Sequence, residues 1–276
     1  MMLPFMISVA PNGARRTHFD HPALAVTSSE LAATAAECLD AGASLLHMHV
    51  RDRDGRHSLD EDHYRQATQA VKAAVGDRLI VQVSTEAAGI YDRYQQMALL
   101  RALRPEAASL AIAELVPDAA CEQEAASLFA WLRREQVLVQ WILYSRADVL
   151  RFRDLLQRGV VADREPYVLF VIGRKPANRS EIRAGAKQLV PFLSAWQDLD
   201  SPWAVCAFNE AEHSCVVAAA AMDGHARVGF ENNLCLADGT MAPNNASLVR
   251  QAVRTAELAG RPVADVSWVR EMLTAR

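Results

Sequence analysis

Lysine is almost missing from this chain: Lys72, Lys175 and Lys187 stand against abundant arginine. A Schiff-base aldolase needs a lysine reaching the active cavity, yet Lys72 and Lys187 fall in segments of helical periodicity. Only Lys175 lies near a strand end, three residues past Ile172. Cysteine is sparse too, and Cys38, Cys121, Cys206, Cys215 and Cys235 include no C-x-x-C pair. That excludes a disulfide framework or a thiolate zinc knot and suits free buried thiols in a reducing cytoplasm. No apolar run approaches the roughly 18 residues of a membrane span. With a net charge of −4, no positive field advertises nucleic acid or an anionic membrane as partner. The first ten residues lack a basic n-region and a cleavage site, so they read as a first buried strand and not as a secretory signal. Linkers rich in Pro, Gly or Ser, internal repeats and low-complexity runs are all absent. The 276 residues, 51% apolar and 22% charged, are therefore expected to form a single globular domain, 1–276.

What is there alternates. Short aliphatic runs at 5–10, 44–50, 79–84, 107–113, 137–143, 167–172, 203–207 and 226–230 read as strands. Helical periodicity marks 28–41, 60–75, 93–102, 121–135, 147–157, 181–193, 211–222 and 245–259. Thr27 followed by Glu30 is a capping box, and Gly42 and Gly76 sit where helix ends need a left-handed residue. Eight strand–helix units with mostly buried, parallel-type strands point to the α/β class and a closed (β/α)8 TIM barrel. A doubly wound open sheet is the alternative. Residues 262–276 read as an extra amphipathic helix that could pack at a subunit contact.

In such a barrel the active site lies at the C-terminal ends of the strands. The second predicted strand ends His47-Met48-His49-Val50-Arg51-Asp52. Alternation puts His47 and His49 on one face and the apolar residues on the other, so both imidazoles are within reach of one ion. Two satisfied histidines in a polar rim is the competing reading. A third ligand is available in Glu231, after the eighth strand, because strands two and eight both flank strand one in a closed barrel. Two imidazoles and a carboxylate suit zinc, and ferrous iron would accept the same set. Ser84 and Thr85, at the end of strand three, could donate hydrogen bonds at the mouth or merely cap the next turn. Arg227 could hold a carboxylate bidentately or be a surface arginine. After strand six, Arg174, Lys175 and Arg179 make a basic, glycine-opened loop that is either solvated or a seat for a phosphorylated carrier.

Taken together, Ala10-Pro11-Asn12-Gly13-Ala14, the H-x-H-x-R-D run with Asp54-Gly55, Gln82-Val83-Ser84-Thr85 and Gly224 through Asn233 resemble the β-keto acid cleavage enzyme family. The ending Asn244-Asn245 with Gly260-Arg261-Pro262 fits as well, so the likeness spans nearly the whole chain. The resemblance implies a zinc (β/α)8 barrel, usually a homotetramer, that condenses a β-keto acid with acetyl-CoA to release acetoacetate and an acyl-CoA by a retro-Claisen route. It implies one Zn2+ per subunit on His47, His49 and Glu231, with Ser84 and Arg227 orienting the reacting groups. Asn12, Arg15 and Thr85 are read as substrate contacts and Arg174 and Lys175 as carrier contacts, in a loop that is shorter and more basic than the glycine-rich one of many members.

Two departures stand out. Aminohexanoate-cleaving members have a glutamate where this chain has Arg15, and an aspartate where it has Asn232, the position implicated in proton abstraction. An amide cannot take a proton at neutral pH, so another group does that work at the Asn232 site or the chemistry is altered. Arg15 reverses the charge at the expected substrate-tail pocket, which favours a β-keto acid with a second acidic or polar group. The rival readings are a mononuclear metal hydrolase, a lyase of the aldolase type, or an inactive metal-binding barrel.

Overall fold

The computed structural model describes residues 2–174, 185–197 and 199–274. Strands and helices alternate along the chain: β1 (Ile7–Val9), α1 (Ser28–Asp40), β2 (Leu45–Met48), α2 (Glu61–Val75), β3 (Ile80–Ser84), α3 (Arg93–Leu103), β4 (Ala107–Ala111), α4 (Glu122–Arg134), β5 (Leu138–Leu143), α5 (Arg146–Gln157), β6 (Tyr167–Ile172), α6 (Val190–Trp196), β7 (Trp203–Ala207), α7 (Ala211–Ala221), β8 (His225–Val228) and α8 (Asn245–Leu258). Every adjacent pair of barrel strands is parallel. Ser8 of β1 stands opposite Arg227 of β8 on one side and Leu45 of β2 on the other, which closes the sheet into a TIM barrel. Among the described residues no helix is long and apolar enough to cross a membrane.

Local chemistry explains the element ends. The capping box of α1 forms as expected: Thr27 Oγ1 accepts the Glu30 N–H, and the Glu30 carboxylate accepts the Thr27 N–H. Gly76 ends α2 with φ of +63°. The expected strand 44–50 stops at Met48, because the Asn12 side chain captures the backbone of His49; Val50–Arg51 then pairs with His57–Ser58 in an antiparallel hairpin. The expected strand 107–113 stops at Ala111, and a single helical turn, Ile112–Leu115, follows. Of the expected helix 181–193, residues 181–184 lie outside the described residues; the rest is a 3-10 turn, Ala186–Leu189, running into α6.

Two apolar cores result from the alternation of strand side chains. Leu46, Met48, Val81, Val83, Leu110, Trp141 and Phe170 point outward into the layer between sheet and helices. Met6, Leu45, Ile80, Ala107, Leu138 and Leu169 point inward and fill the lower end of the barrel. The last helix, α9 (Val266–Thr274), caps that end: Val269 and Leu273 are buried against the same inward residues. Val269 and Leu273 are thus spent within the chain itself, while Trp268 and Met272 on the same helix stay partly exposed. Above this plug the inward positions turn polar, and the functional groups begin.

Candidate active site

Leu45, His47 and His49 are successive inward positions along β2 and the residue that follows it. Their Nε2 atoms face each other at 3.1 Å, and Glu231 Oε2 lies 3.5 Å from the first and 3.4 Å from the second. The two histidines are almost fully buried, the Glu231 side chain is 14% exposed, and Oε2 of Glu231 makes no hydrogen bond among the described residues. The Nδ1–H of His47 donates to Gln82 Oε1 at 2.9 Å, which leaves the Nε2 lone pair pointing at its neighbours. Burial first, then the nearby Arg227 charge, push His47 down to about 3, so it is the neutral, ligating form at any ordinary pH. Burial alone would raise Glu231, but Arg227, His49 and His47 hold its carboxyl well below the usual range. With His49 in the tautomer that leaves Nε2 unprotonated, three electron-pair donors converge and repel unless a cation lies between them. A tetrahedral zinc with ligand bonds of about 2.0–2.1 Å spaces its ligands about 3.3 Å apart, close to all three separations. The donor set fits a divalent metal ion, and among the described residues His47, His49 and Glu231 are grouped closely enough to hold one.

The loops that deliver these groups are fixed by close approach. After β8, Gly229 has φ of +130°, and a Cβ there would sit 2.4 Å from the Ala10 carbonyl oxygen. Only glycine lets the chain pass so near β1 that the Glu231 N–H reaches Ala10 O at 3.0 Å. Gly13, with φ of +65°, leaves room in the same way: a Cβ there would meet Glu231 Cγ at 2.5 Å. Asn245 Oδ1 accepts the Phe230 N–H, and Glu212 accepts from Gly229 N–H and from Asn233 Nδ2. Arg16 donates to the carbonyls of Phe230 and Asn232. Arg51 of the motif is likewise a brace: it donates to the carbonyls of Gly13, Arg16 and Gly55. Asp52 Oδ1 accepts the Asp54 and Arg56 N–H groups and so forms the hairpin turn.

Around the triad lies a cavity of about 160 Å³ at the C-terminal mouth. It brings together Asn12, Arg15, Ser84, Thr85, Arg174 and Arg227 with the triad. Arg227 is buried; its Nη2 donates to Glu231 Oε1 at 3.2 Å and to Cys206 Sγ at 3.4 Å. Its Nε and Nη1 make no hydrogen bond among the described residues. Asn12 spends its amide on the carbonyls of Ala25 and His49, and Thr85 Oγ1 donates to Ser109 O. Ser84 Oγ accepts the Glu86 N–H, which leaves its own proton to give. Arg15 and Arg174 both reach Glu86 Oε1, at 3.2 and 2.9 Å, and Arg174 stacks over the Tyr144 ring. Asn232 is not brought into the cavity lining: its side chain is fully buried behind the loop. Lys175 lies outside the described residues, and among the described residues no lysine lines the cavity.

Sequence reasoning passed over Glu86, Ser109, Glu114 and Tyr144, all of which line the cavity. Strand alternation carried past the strand ends would have found three of them. Glu86 continues the inward series Gln82–Ser84, Ser109 lies between inward Ala107 and Ala111, and Tyr144 continues Gln140–Ile142. Glu114 arrives on the unexpected helical turn, and burial raises its carboxyl above the ordinary value. His57, set aside as flanking a turn, is buried with its ring 5.4 Å from that of His49, and it bonds to Glu86 O at 2.7 Å. The Asp54-Gly55 turn was the hairpin signal that folds it back.

A family model described as beta-keto acid cleavage enzyme matches residues 4–274. The 3-keto-5-aminohexanoate cleavage enzyme of Fusobacterium nucleatum subsp. nucleatum is 28% identical over 293 residues, which cover 100% of each chain. The 3-oxoadipate:acetyl-CoA acetyltransferase of Cupriavidus necator is 29% identical over 281 residues, covering 99% of this chain and 95% of that one. Among solved structures, a ternary complex of ObcA with C4-CoA adduct and oxalate aligns with a TM-score of 0.72 at 18% identity. It covers 91% of this chain and 67% of that one and shows a shared fold.

Proposed function

Because this chain belongs to the beta-keto acid cleavage enzyme family, we propose that it condenses acetyl-CoA with a β-keto acid carrying a second acidic or polar group, using zinc on His47, His49 and Glu231. The products are acetoacetate and the CoA ester of the shortened acid. The carbon–carbon bond beside the keto group breaks, a new one forms to the acetyl carbon, and the CoA thiolate passes from acetyl to the remaining acyl group. Atoms and electrons balance without an oxidant or reductant. The observation that carries the reading is the set of three donor separations, 3.1, 3.4 and 3.5 Å, each near a tetrahedral edge. A divalent cation held there supplies Lewis acidity toward a 1,3-dicarbonyl. Beside it, the buried Arg227 offers Nε and Nη1 to a carboxylate, and Ser84 offers a proton donor. Asn232 has no basic group; the cavity-lining carboxylates besides Glu231 are Glu86 and Glu114 among the described residues.

The substrate class rests on the mouth. Among the described residues lining the cavity, Arg15, Arg16, Arg174 and Arg227 outnumber Glu86, Glu114 and Glu231, so the side chains around a substrate tail carry one surplus positive charge, with Arg15 and Arg174 at the mouth beside Glu86. That repels an ammonium tail and attracts an anionic one. Acetyl-CoA as co-substrate is supported by the name of the Cupriavidus relative, with Arg174 and Lys175 proposed to meet it. Homo-oligomeric assembly and a cytoplasmic setting belong to the same proposal. The test is metal analysis of the purified protein joined to acetoacetate release over a panel of β-keto acids. Zinc near one per chain and turnover of a dicarboxylic keto acid are expected. Faster turnover of an aminated keto acid than of every dicarboxylic one overturns the substrate class, and release from none overturns the activity.

A further inference from the structure

The two histidines of the centre are not held alike. His47 is oriented by Gln82 through its outer nitrogen, whereas the outer Nδ1 of His49 is buried and makes no hydrogen bond among the described residues. A ligating imidazole is ordinarily fixed in ring orientation and tautomer by an acceptor on that second nitrogen. The carboxylate facing it is Glu86, with Oε2 4.0 Å away, about 1 Å beyond a hydrogen bond. Glu86 is itself anchored. Its Oε1 takes Arg15 and Arg174, its N–H donates to Ser84 Oγ, and its carbonyl takes His57 Nε2.

Building on the reading of His47, His49 and Glu231 as metal ligands, we propose that Glu86 is the positioning residue of His49: its Oε2 accepts the Nδ1 proton and so holds the tautomer that offers Nε2 to a cation. The same carboxylate carries the two mouth arginines. An anionic substrate group that draws Arg15 and Arg174 away from Oε1 therefore leaves more of the Glu86 charge to His49, linking the mouth to the centre.

The experiment titrates Zn2+ into the metal-free parent and E86Q against a chromophoric chelator, with the unfolding midpoint of each metal-free protein measured alongside. E86Q keeps shape and loses charge, so zinc affinity is expected to fall 10- to 100-fold at an unchanged midpoint. Equal affinity in the two proteins overturns the proposal while leaving the metal site standing. A parent that binds no zinc overturns the metal reading and the proposal with it. Should E86Q fail to fold, the zinc-loaded parent still decides through its 15N-labelled imidazoles. A protonated Nδ1 on His49 with a slowly exchanging, carboxylate-bonded proton is expected, and a rapidly exchanging or absent one overturns the assignment.

Discussion

Arg227 Nη2 stands 3.2 Å from Oε1 of Glu231, while Oε2 of the same carboxylate faces His47 and His49. One buried carboxylate thus separates a fixed cation from the place where a second cation fits. Glu231 is kept ionised by Arg227 and presented as a ligand through its far oxygen. Arg227, in turn, keeps two donors for something other than Glu231.

That division of labour separates two kinds of variant. H47A and E231Q each remove a donor atom and are expected to lose bound metal and acetoacetate release together. R227M removes no donor, so it is expected to retain metal, bound more weakly because Glu231 loses the charge that helps keep it ionised. Its kcat/KM for a β-keto acid should fall about 10- to 100-fold, the worth of a lost charge-assisted carboxylate contact of about 1.5–3 kcal/mol. Metal analysis and steady-state kinetics on the three proteins check this; metal loss in R227M as complete as in E231Q would contradict it.

Gly13 gives a test that touches no ligand. A methyl group there would press on Glu231 Cγ at 2.5 Å and would also sit on a left-handed backbone, φ +65°. G13A is expected to cost about 1–2 kcal/mol of stability from the backbone alone. In addition, the displaced Glu231 should weaken zinc binding by at least about tenfold, as misplacing a ligand does. Urea unfolding of the metal-free protein isolates the first effect, and chelator competition isolates the second.

Much of this was legible in the residues, for definite reasons. The alternation Leu45–His49 placed both imidazoles inward because strand side chains point alternately to opposite faces. The pairing of β1 with both β2 and β8 brought Glu231 to them, as a closed barrel requires. What stayed hidden depends on contacts far apart in sequence. Asn12 truncating β2 at Met48, across 37 positions, leaves no local mark. Nor does the docking of Val269 and Leu273 under the barrel, since an amphipathic helix shows that it covers something but not what. Asn232 enters through the resemblance, at the position where aminohexanoate-cleaving members carry an aspartate, and its side chain is buried outside the lining of the cavity that Glu231 enters.

Glu212 predicts a pH dependence. Fully buried on α7, its carboxyl is pushed up to about 8 by burial, against the pull of Asn233, Gly229, Arg16 and Arg227. The folded protein then keeps a proton that the unfolded chain sheds near the ordinary 4.5. Stability from this group is complete below that lower value and declines as pH rises toward about 8, with a slope of at most about 1.4 kcal/mol per pH unit. E212Q is expected to lower stability at pH 5, because an amide N–H2 meets a donor at Gly229 or Asn233, but to flatten this slope, so that the gap to the parent narrows as pH rises. Denaturant unfolding at pH 5, 6.5 and 8 separates offset from slope; parallel curves for parent and variant would refute the raised value.

At the mouth the charge count itself can be inverted. Arg15 is 65% exposed in its side chain, so its influence on a bound tail is screened by water and salt. R15E changes the surplus over the cavity lining from one positive to one negative, because three arginines then face four carboxylates. The ratio of kcat/KM for a dicarboxylic over an aminated β-keto acid is expected to drop about tenfold at low ionic strength, which corresponds to about 1.4 kcal/mol. The drop should shrink as salt is added, since an exposed charge acts within a Debye length of about 10 Å at 0.1 M. Arg174 is less exposed and stacked on Tyr144, so R174M should lower turnover of both substrates without inverting their order. A ratio unmoved in R15E at low salt would mean that the tail lies elsewhere than beside Glu86, and that the surplus charge at the mouth does not choose the substrate.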